Sequence, residues 1–171
     1  MKYVMSFFGL LILAIILLLA IGYSLPAKTT ITRSISLSKS PEEVFAALTD
    51  MQSFPKWNRS LEKIEILPPR DGKETTLQTF KGGMRMTIIT TERTPPTHLV
   101  RAMADEKGPF AGAWTYHISA SAAGAKIALT ERAEARNPVF RVLMRFFGQT
   151  KYVDEHLVDL GKRFGENVAI Q

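Results

Sequence analysis

The run K-I-A-L-T-E-R-A-E-A, Lys126 to Ala135, alternates so that Ile127 and Leu129 share a face with Glu131 if no bulge intervenes. A carboxyl on an apolar face is desolvated, its pKa rises, and it can hold and pass a proton as a general acid or base. Glu131 is therefore the one catalytic candidate. The competing reading is a bulge, or a salt bridge from Glu131 to an arginine at the rim of that face. In A-W-T-Y-H-I, Trp114 and Tyr116 also share a parity. They are either core aromatics or a pocket wall in which the Tyr116 hydroxyl is the hydrogen-bonding tip. Leu99, Arg101 and Met103 share a parity on the strand that begins at His98. An Arg101 pointing inward would pair with Glu131 or a ligand carboxylate; near a strand end it would reach solvent.

Met86, Ile88 and Met103 fall at inward strand positions, where a flexible thioether either adapts to an irregular ligand or fills a core. Trp57, beside Phe54 and Pro55, either stands at a cavity entrance or staples two short helices together. Other chemistries find no support in the residues. The chain has no cysteine, and His98, His117 and His156 show no metal-ligand spacing. No G-x-S-x-G, G-x-G-x-x-G or P-loop occurs. No metal and no cofactor are expected.

Positioning these side chains falls to one domain's worth of chain, 171 residues with a net charge of +6. The basic residues are scattered, which suits a solvated or membrane-facing surface and gives no nucleic-acid footprint. From Tyr3 to Leu25 there are 23 residues without a charge. As a helix they span about 34 Å, enough to cross a hydrocarbon core of about 30 Å. A cleaved signal peptide is the rival reading, disfavoured by the length of the run and by the poor cleavage site at Leu25-Pro26-Ala27. The division is thus a transmembrane anchor over residues 1–27 and a ligand-binding domain over 28–171. Lys28, Arg33 and Lys39 after the span argue for a cytoplasmic domain. The short N-terminal tail of an uncleaved signal-anchor argues for the periplasmic side of a bacterial inner membrane, and that topology is preferred.

After the anchor, Thr29 to Ser38 alternates as a half-buried strand. Ser40-Pro41-Glu42-Glu43 reads as a capped helix start, and M-Q-S-F-P-K-W-N as a second short helical segment. Six strand-like runs follow, punctuated by Pro68-Pro69, Asp71-Gly72, Gly82-Gly83, Pro95-Pro96 and Ala122-Ala123-Gly124. The order is strand, two short helices, six strands, long helix. It indicates an α+β fold in which a curved antiparallel sheet of about seven strands wraps a C-terminal helix and leaves a cavity.

That helix begins unusually. In N-P-V-F-R-V-L-M-R-F-F-G, Asn137 to Gly148, the apolar residues sweep roughly 200° of the helix, about twice what a core-docked face needs. The segment is too short for a second span. It is expected to cover the cavity mouth, interrupted near Gly148, with Phe140 and Phe147 shared between cavity and membrane and Arg141 and Arg145 facing lipid headgroups. Beyond Gly148 the stripe Val153, Leu157, Leu160 and Phe164 is narrow, and Leu157 is counted among the ligand-facing residues. Gly161 beside it would let the helix approach the sheet closely.

The sequence resembles the START-like (SRPBCC) superfamily, and within it the bacterial polyketide cyclase/dehydrase-like proteins. Residues 40–58 (S-P-E-E-V-F-A-A-L-T-D-M-Q-S-F-P-K-W-N), 108–118 (G-P-F-A-G-A-W-T-Y-H-I) and 129–148 carry the resemblance, which runs over about residues 30–165. It implies the helix-grip fold and a hydrophobic ligand cavity. It implies no single reaction, because the superfamily includes lipid carriers, quinone-binding proteins and cyclases. The expectation is a membrane-tethered carrier or binding protein for a small hydrophobic ligand such as a lipid, quinone or polyketide-like compound. The alternatives are a cyclase/dehydratase-type enzyme using Glu131, and an envelope module whose cavity is filled by side chains.

Overall fold

The structure, a computed structural model, describes residues 2–105, 108, 110–148 and 150–171. Helix α1 (Lys2–Ser24) comes first, and its apolar side chains are exposed along most of its length. Over Met5–Ser24 it is long and apolar enough to cross a membrane, a property that anchors and signal sequences share. β1 (Lys28–Leu37) leads into α2 (Pro41–Thr49) and the single turn α3 (Phe54–Trp57). Six strands follow: β2 (Leu61–Arg70), β3 (Lys73–Phe80), β4 (Arg85–Thr94), β5 (His98–Met103), β6 (Phe110–Ser121) and β7 (Gly124–Ala135). Helices α4 (Pro138–Phe147) and α5 (Lys151–Arg163) complete the order of elements.

The strands form one antiparallel sheet in the order β1-β7-β6-β5-β4-β3-β2. Local chemistry accounts for its corners. Ser40 caps α2 through the Glu43 amide while the Glu43 carboxylate accepts from the Ser40 amide, the reciprocal pair expected of this motif. Asp71 and Gly72 take left-handed φ of 51° and 71° between β2 and β3, as a tight hairpin requires. β2 runs through Pro68-Pro69 instead of stopping there. It is an edge strand, so its missing donors cost little, and its register breaks between Leu67 and Arg70.

The concave face is filled by α2 and α5. Ile35, Leu48, Leu99, Ile127, Leu129, Val153, Leu157 and Leu160 have essentially no exposed surface. Just before β2, the Arg59 guanidinium grips buried Asp159 of α5 (Nη2 to Oδ1 2.6 Å), and the Arg59 amide donates to Oδ2 at 2.8 Å. This clamp holds Asn58 against the preceding turn of α5.

The terminal helix is two helices. Gly148, at φ 87°, ends α4, and α5 starts at Lys151. α5 stops at Arg163, and the residues after it return along the free edge of β1, where Ser34 and Gln171 exchange two backbone hydrogen bonds of 2.9 Å. Gly161 therefore serves this tail and not the sheet: a Cβ there would meet the Val168 methyls at 2.8 Å. α4 packs chiefly on the last turns of α1. A Cβ on Gly22 would overlap the Pro138 backbone. Arg141 is not turned to lipid headgroups. It donates to the carbonyls of Ala135 (2.8 Å), Arg136 (3.2 Å), Gly22 and Leu25 (both 3.4 Å), capping the C-terminal end of α1.

Candidate ligand-binding site

Among the spaces between the sheet and its helices, two are bordered by Trp114, and they differ in chemistry. The outer one, about 250 Å³, lies under α4. Met84, Met86, Met103, Phe110, Trp114, Glu131 and Ala133 line it from the sheet side, and Phe140 and Met144 from α4. Phe140 stacks on Phe110 with centroids 5.7 Å apart, tying α4 to the start of β6. The wall is almost wholly apolar, and its four thioethers adapt to irregular shapes. The inner space, about 20 Å³, is bounded by Phe54, Gln78, Phe80, Ile88, Arg101, Trp114, Tyr116 and Tyr152. That is room for about one water. Trp114 belongs to both walls. The cavity expected between sheet and helix is narrowed where Phe54, Tyr152 and His156 pack together.

The register of the sheet sets the polar groups. Arg101 on β5 pairs with Trp114 on β6, which pairs with Glu131 on β7. No bulge intervenes on β7, and Glu131 points inward, only 8 % exposed. Its Oε2 accepts the Trp114 indole N–H at 2.7 Å. Burial lifts its carboxyl above the usual range, and the indole N–H opposes that only in part. Among the described residues no salt bridge joins it to an arginine. It can therefore carry a proton at a pH where an exposed glutamate has lost one.

Arg101 also points inward and is 4 % exposed. Nη2 donates to the Leu48 carbonyl at 2.7 Å, capping α2, and the guanidinium lies 5.3 Å from the Phe54 ring centroid. Its Nε has no partner. Burial depresses its pKa, and the attraction of Tyr116, Glu74 and Tyr152 offsets that only in part. A buried cation with a free donor, facing a small hole, is a ready site for an anionic oxygen.

A hydrogen-bond chain aims a second donor at the same hole. Asn58 Oδ1 accepts the Ser60 amide at 3.0 Å, which orients its Nδ2 toward His156 Nδ1 at 2.9 Å. An amide nitrogen only donates, so Nδ1 accepts and the proton of neutral His156 sits on Nε2. That N–H donates to Tyr116 Oη at 3.1 Å, leaving the phenolic proton free to point into the hole. Burial lowers His156 to about 4 and pushes Tyr116 up to about 12, so both are neutral at physiological pH. Tyr116 is a hydrogen-bond donor here and not a base.

The remaining candidates divide. Trp57 packs on Phe54 (4.4 Å) and His156 (5.5 Å) with Arg163 over its face, lining neither space; it staples α3 to α5. Leu157 lines neither space and belongs to the closed core. The side chain of Phe147 lies outside the described residues. Asn58, Gln78, Tyr152, His156, Phe110 and Met144 join the site without having been expected there. For His156 the signal existed: it sits three residues after Val153 and four before Leu160, on the buried stripe.

A seven-stranded antiparallel sheet closed over a helix, with an apolar cavity at its mouth, defines a START-like helix-grip protein. A family model described as polyketide cyclase / dehydrase and lipid transport matches residues 28–165, and the chain belongs to that family. Among solved structures it is similar to the Zhui aromatase/cyclase from Streptomyces sp. R1128, at 13% identity and a TM-score of 0.64 over 78% of this chain and 91% of that one. A conserved protein from Geobacillus kaustophilus gives 17% identity and a TM-score of 0.63 over 84% of this chain and 99% of that one. A protein from Thermus thermophilus gives 19% identity and a TM-score of 0.63 over 80% and 95%. Identities this low carry the fold alone. A search of curated proteins finds no match.

Proposed function

We propose that the chain is a membrane-tethered binding or carrier protein for a small hydrophobic ligand with an acidic or enolic head. Residues 1–27 form the tether and 28–171 the ligand-binding domain. The apolar body enters the methionine-lined cavity, and the head reaches the inner space to meet Arg101 Nε and the Tyr116 hydroxyl. The observation that carries this reading is the buried Arg101 guanidinium, its Nε without a partner, behind an apolar mouth. An ordinary core gains nothing from such a charge. The outer cavity is smaller than the roughly 300–1,000 Å³ of typical ligand pockets, so it takes part of the ligand while the rest stays at the mouth. Organic extraction of the purified full chain, followed by mass spectrometry, is expected to release an acidic apolar molecule. A chain that yields none under gentle solubilisation, and takes up none when offered, points to the filled-cavity envelope module.

One observation favours a second reading, a cyclase- or dehydratase-type enzyme. Glu131 is a protonatable carboxyl on the wall of the outer space, bonded to Trp114, which also borders the inner space where the donors that would hold an enolate oxygen lie. Glu131→Gln separates the two. Glutamine keeps an acceptor for the Trp114 N–H but cannot carry a proton, so an enzyme loses turnover while a carrier keeps its ligand.

The same variant has an expected stability signature. Burial raises the folded carboxyl above its unfolded value, so the wild type loses stability as pH climbs from about 4.5 through the folded pKa. Glu131→Gln is expected to melt higher than wild type at neutral pH, with the gap closing near pH 4.5. Thermal melts across that range check it, and equal melts at neutral pH would mean that the carboxyl is solvated.

A further inference from the structure

We propose that α4 lies in the surface of the bilayer that α1 crosses, its Leu143 and Phe146 side dipped among acyl chains, so that the methionine-lined cavity opens onto lipid. This rests on the tether reading of α1 and names the ligand's source as the bilayer itself. Four observations carry it. α4 is fixed to the membrane-crossing helix at a defined depth, because Pro138 sits on Gly22 and Arg141 holds the carbonyls of Gly22 and Leu25. Gly22 is three residues before Leu25, so at 1.5 Å per residue the contact lies about 4–5 Å inside the end of the apolar run. That is close to the shallow end of the roughly 5–10 Å immersion of interfacial amphipathic helices.

Exposure follows the same geometry. Phe140, Leu143 and Phe146 are 41 %, 44 % and 79 % exposed. Among the described residues only Ile66 and Met84 are other exposed large apolar side chains beyond α1, and Met84 lines the cavity mouth. The apolar surface outside the anchor is thus concentrated beside the anchor. The faces are also divided. At about 100° per residue, Val139, Leu143 and Phe146 lie within roughly 60° of one another, while exposed Arg145 lies some 100–160° away, where it can meet headgroups. Finally, α4 roofs the cavity with Phe140 and Met144, so its outer side faces lipid while its inner side faces ligand. An apolar ligand then moves between bilayer and protein without crossing water.

The absence of cysteine makes the test clean. Single-cysteine variants Leu143→Cys, Phe146→Cys, Ile12→Cys in α1 and Asp71→Cys in the β2–β3 turn would carry an environment-sensitive fluorophore on the full chain in phosphatidylcholine vesicles. Labels at 143 and 146 are expected to show blue-shifted emission quenched by doxyl-labelled lipid, as at 12, while the label at 71 is quenched by aqueous iodide. If 12 is quenched by lipid but 143 and 146 respond to iodide like 71, the α4 proposal fails and the tether stands. If 12 also responds to iodide, the tether reading fails and the proposal with it. A blue shift at 143 and 146 without doxyl quenching would assign the face to a second copy of the chain and overturn the proposal equally.

Discussion

Replacing Arg101 with methionine is expected to stabilise the fold by about 1–2 kcal/mol and weaken binding of a fatty-acid probe by about 10- to 100-fold. The two effects have one cause. A buried charge without a salt-bridge partner costs several kcal/mol, and Arg101 offsets part of that through its bond to the Leu48 carbonyl, its contact with Phe54 and the attraction of Tyr116 and Glu74. Methionine keeps the stem packing, and its sulfur makes a favourable contact with the Phe54 ring. The lost bond to Leu48 is the opposing term, and it is smaller than the desolvation relieved. Urea midpoints give the stability change. Fluorescence titration with cis-parinaric acid and with its methyl ester gives the binding change, and only the acid should lose affinity. A variant that is less stable and binds both probes as wild type does would make Arg101 a structural cap of α2.

Acid is expected to unfold the protein through His156. In the fold its pKa is lowered to about 4, from an ordinary value of 6.5, chiefly by burial and secondly by Arg101. The folded state refuses a proton that the unfolded chain accepts. Its contribution is therefore intact above pH 6.5 and is lost progressively as pH falls from 6.5 to about 4, by about 3 kcal/mol at about 1.4 kcal/mol per pH unit. His156→Gln offers one acceptor to Asn58 and one donor to Tyr116 without titrating, so urea midpoints of this variant should not fall over that window while those of wild type do. An equal fall in both would place the acid sensitivity elsewhere. Glu131 acts in the opposite sense, favouring the fold as pH drops, so the two single variants should tilt the stability profile in opposite directions.

The strand-by-strand order was legible because alternation and turn chemistry act locally: Ser40 with Glu43, or Asp71 with Gly72, needs only its neighbours. Parity likewise put Glu131, Trp114 and Tyr116 on one side of their strands. Parity could not say how far helices intrude on that side, and the packing together of Phe54, Tyr152 and His156 depends on contacts between distant segments. The same limit hid Asn58, whose role exists only because Arg59 is clamped to Asp159 a hundred residues away. The wide apolar arc of Asn137 to Gly148 was visible at once, but its explanation needed the contact between Gly22 and Pro138, which no period in the sequence encodes.

The claim that the methionine-lined cavity holds the ligand's body is tested most directly at Ala133. Its side chain shares the inward parity of Glu131 and borders the open space, so phenylalanine there fills the cavity without entering the closed core. Titrating cis-parinaric acid into wild type and Ala133→Phe in the same detergent is the measurement. The account expects saturable binding of one probe per chain in wild type and its loss in a variant that melts as wild type does. Equal saturable binding by both, or only unsaturable partitioning in wild type, would contradict it.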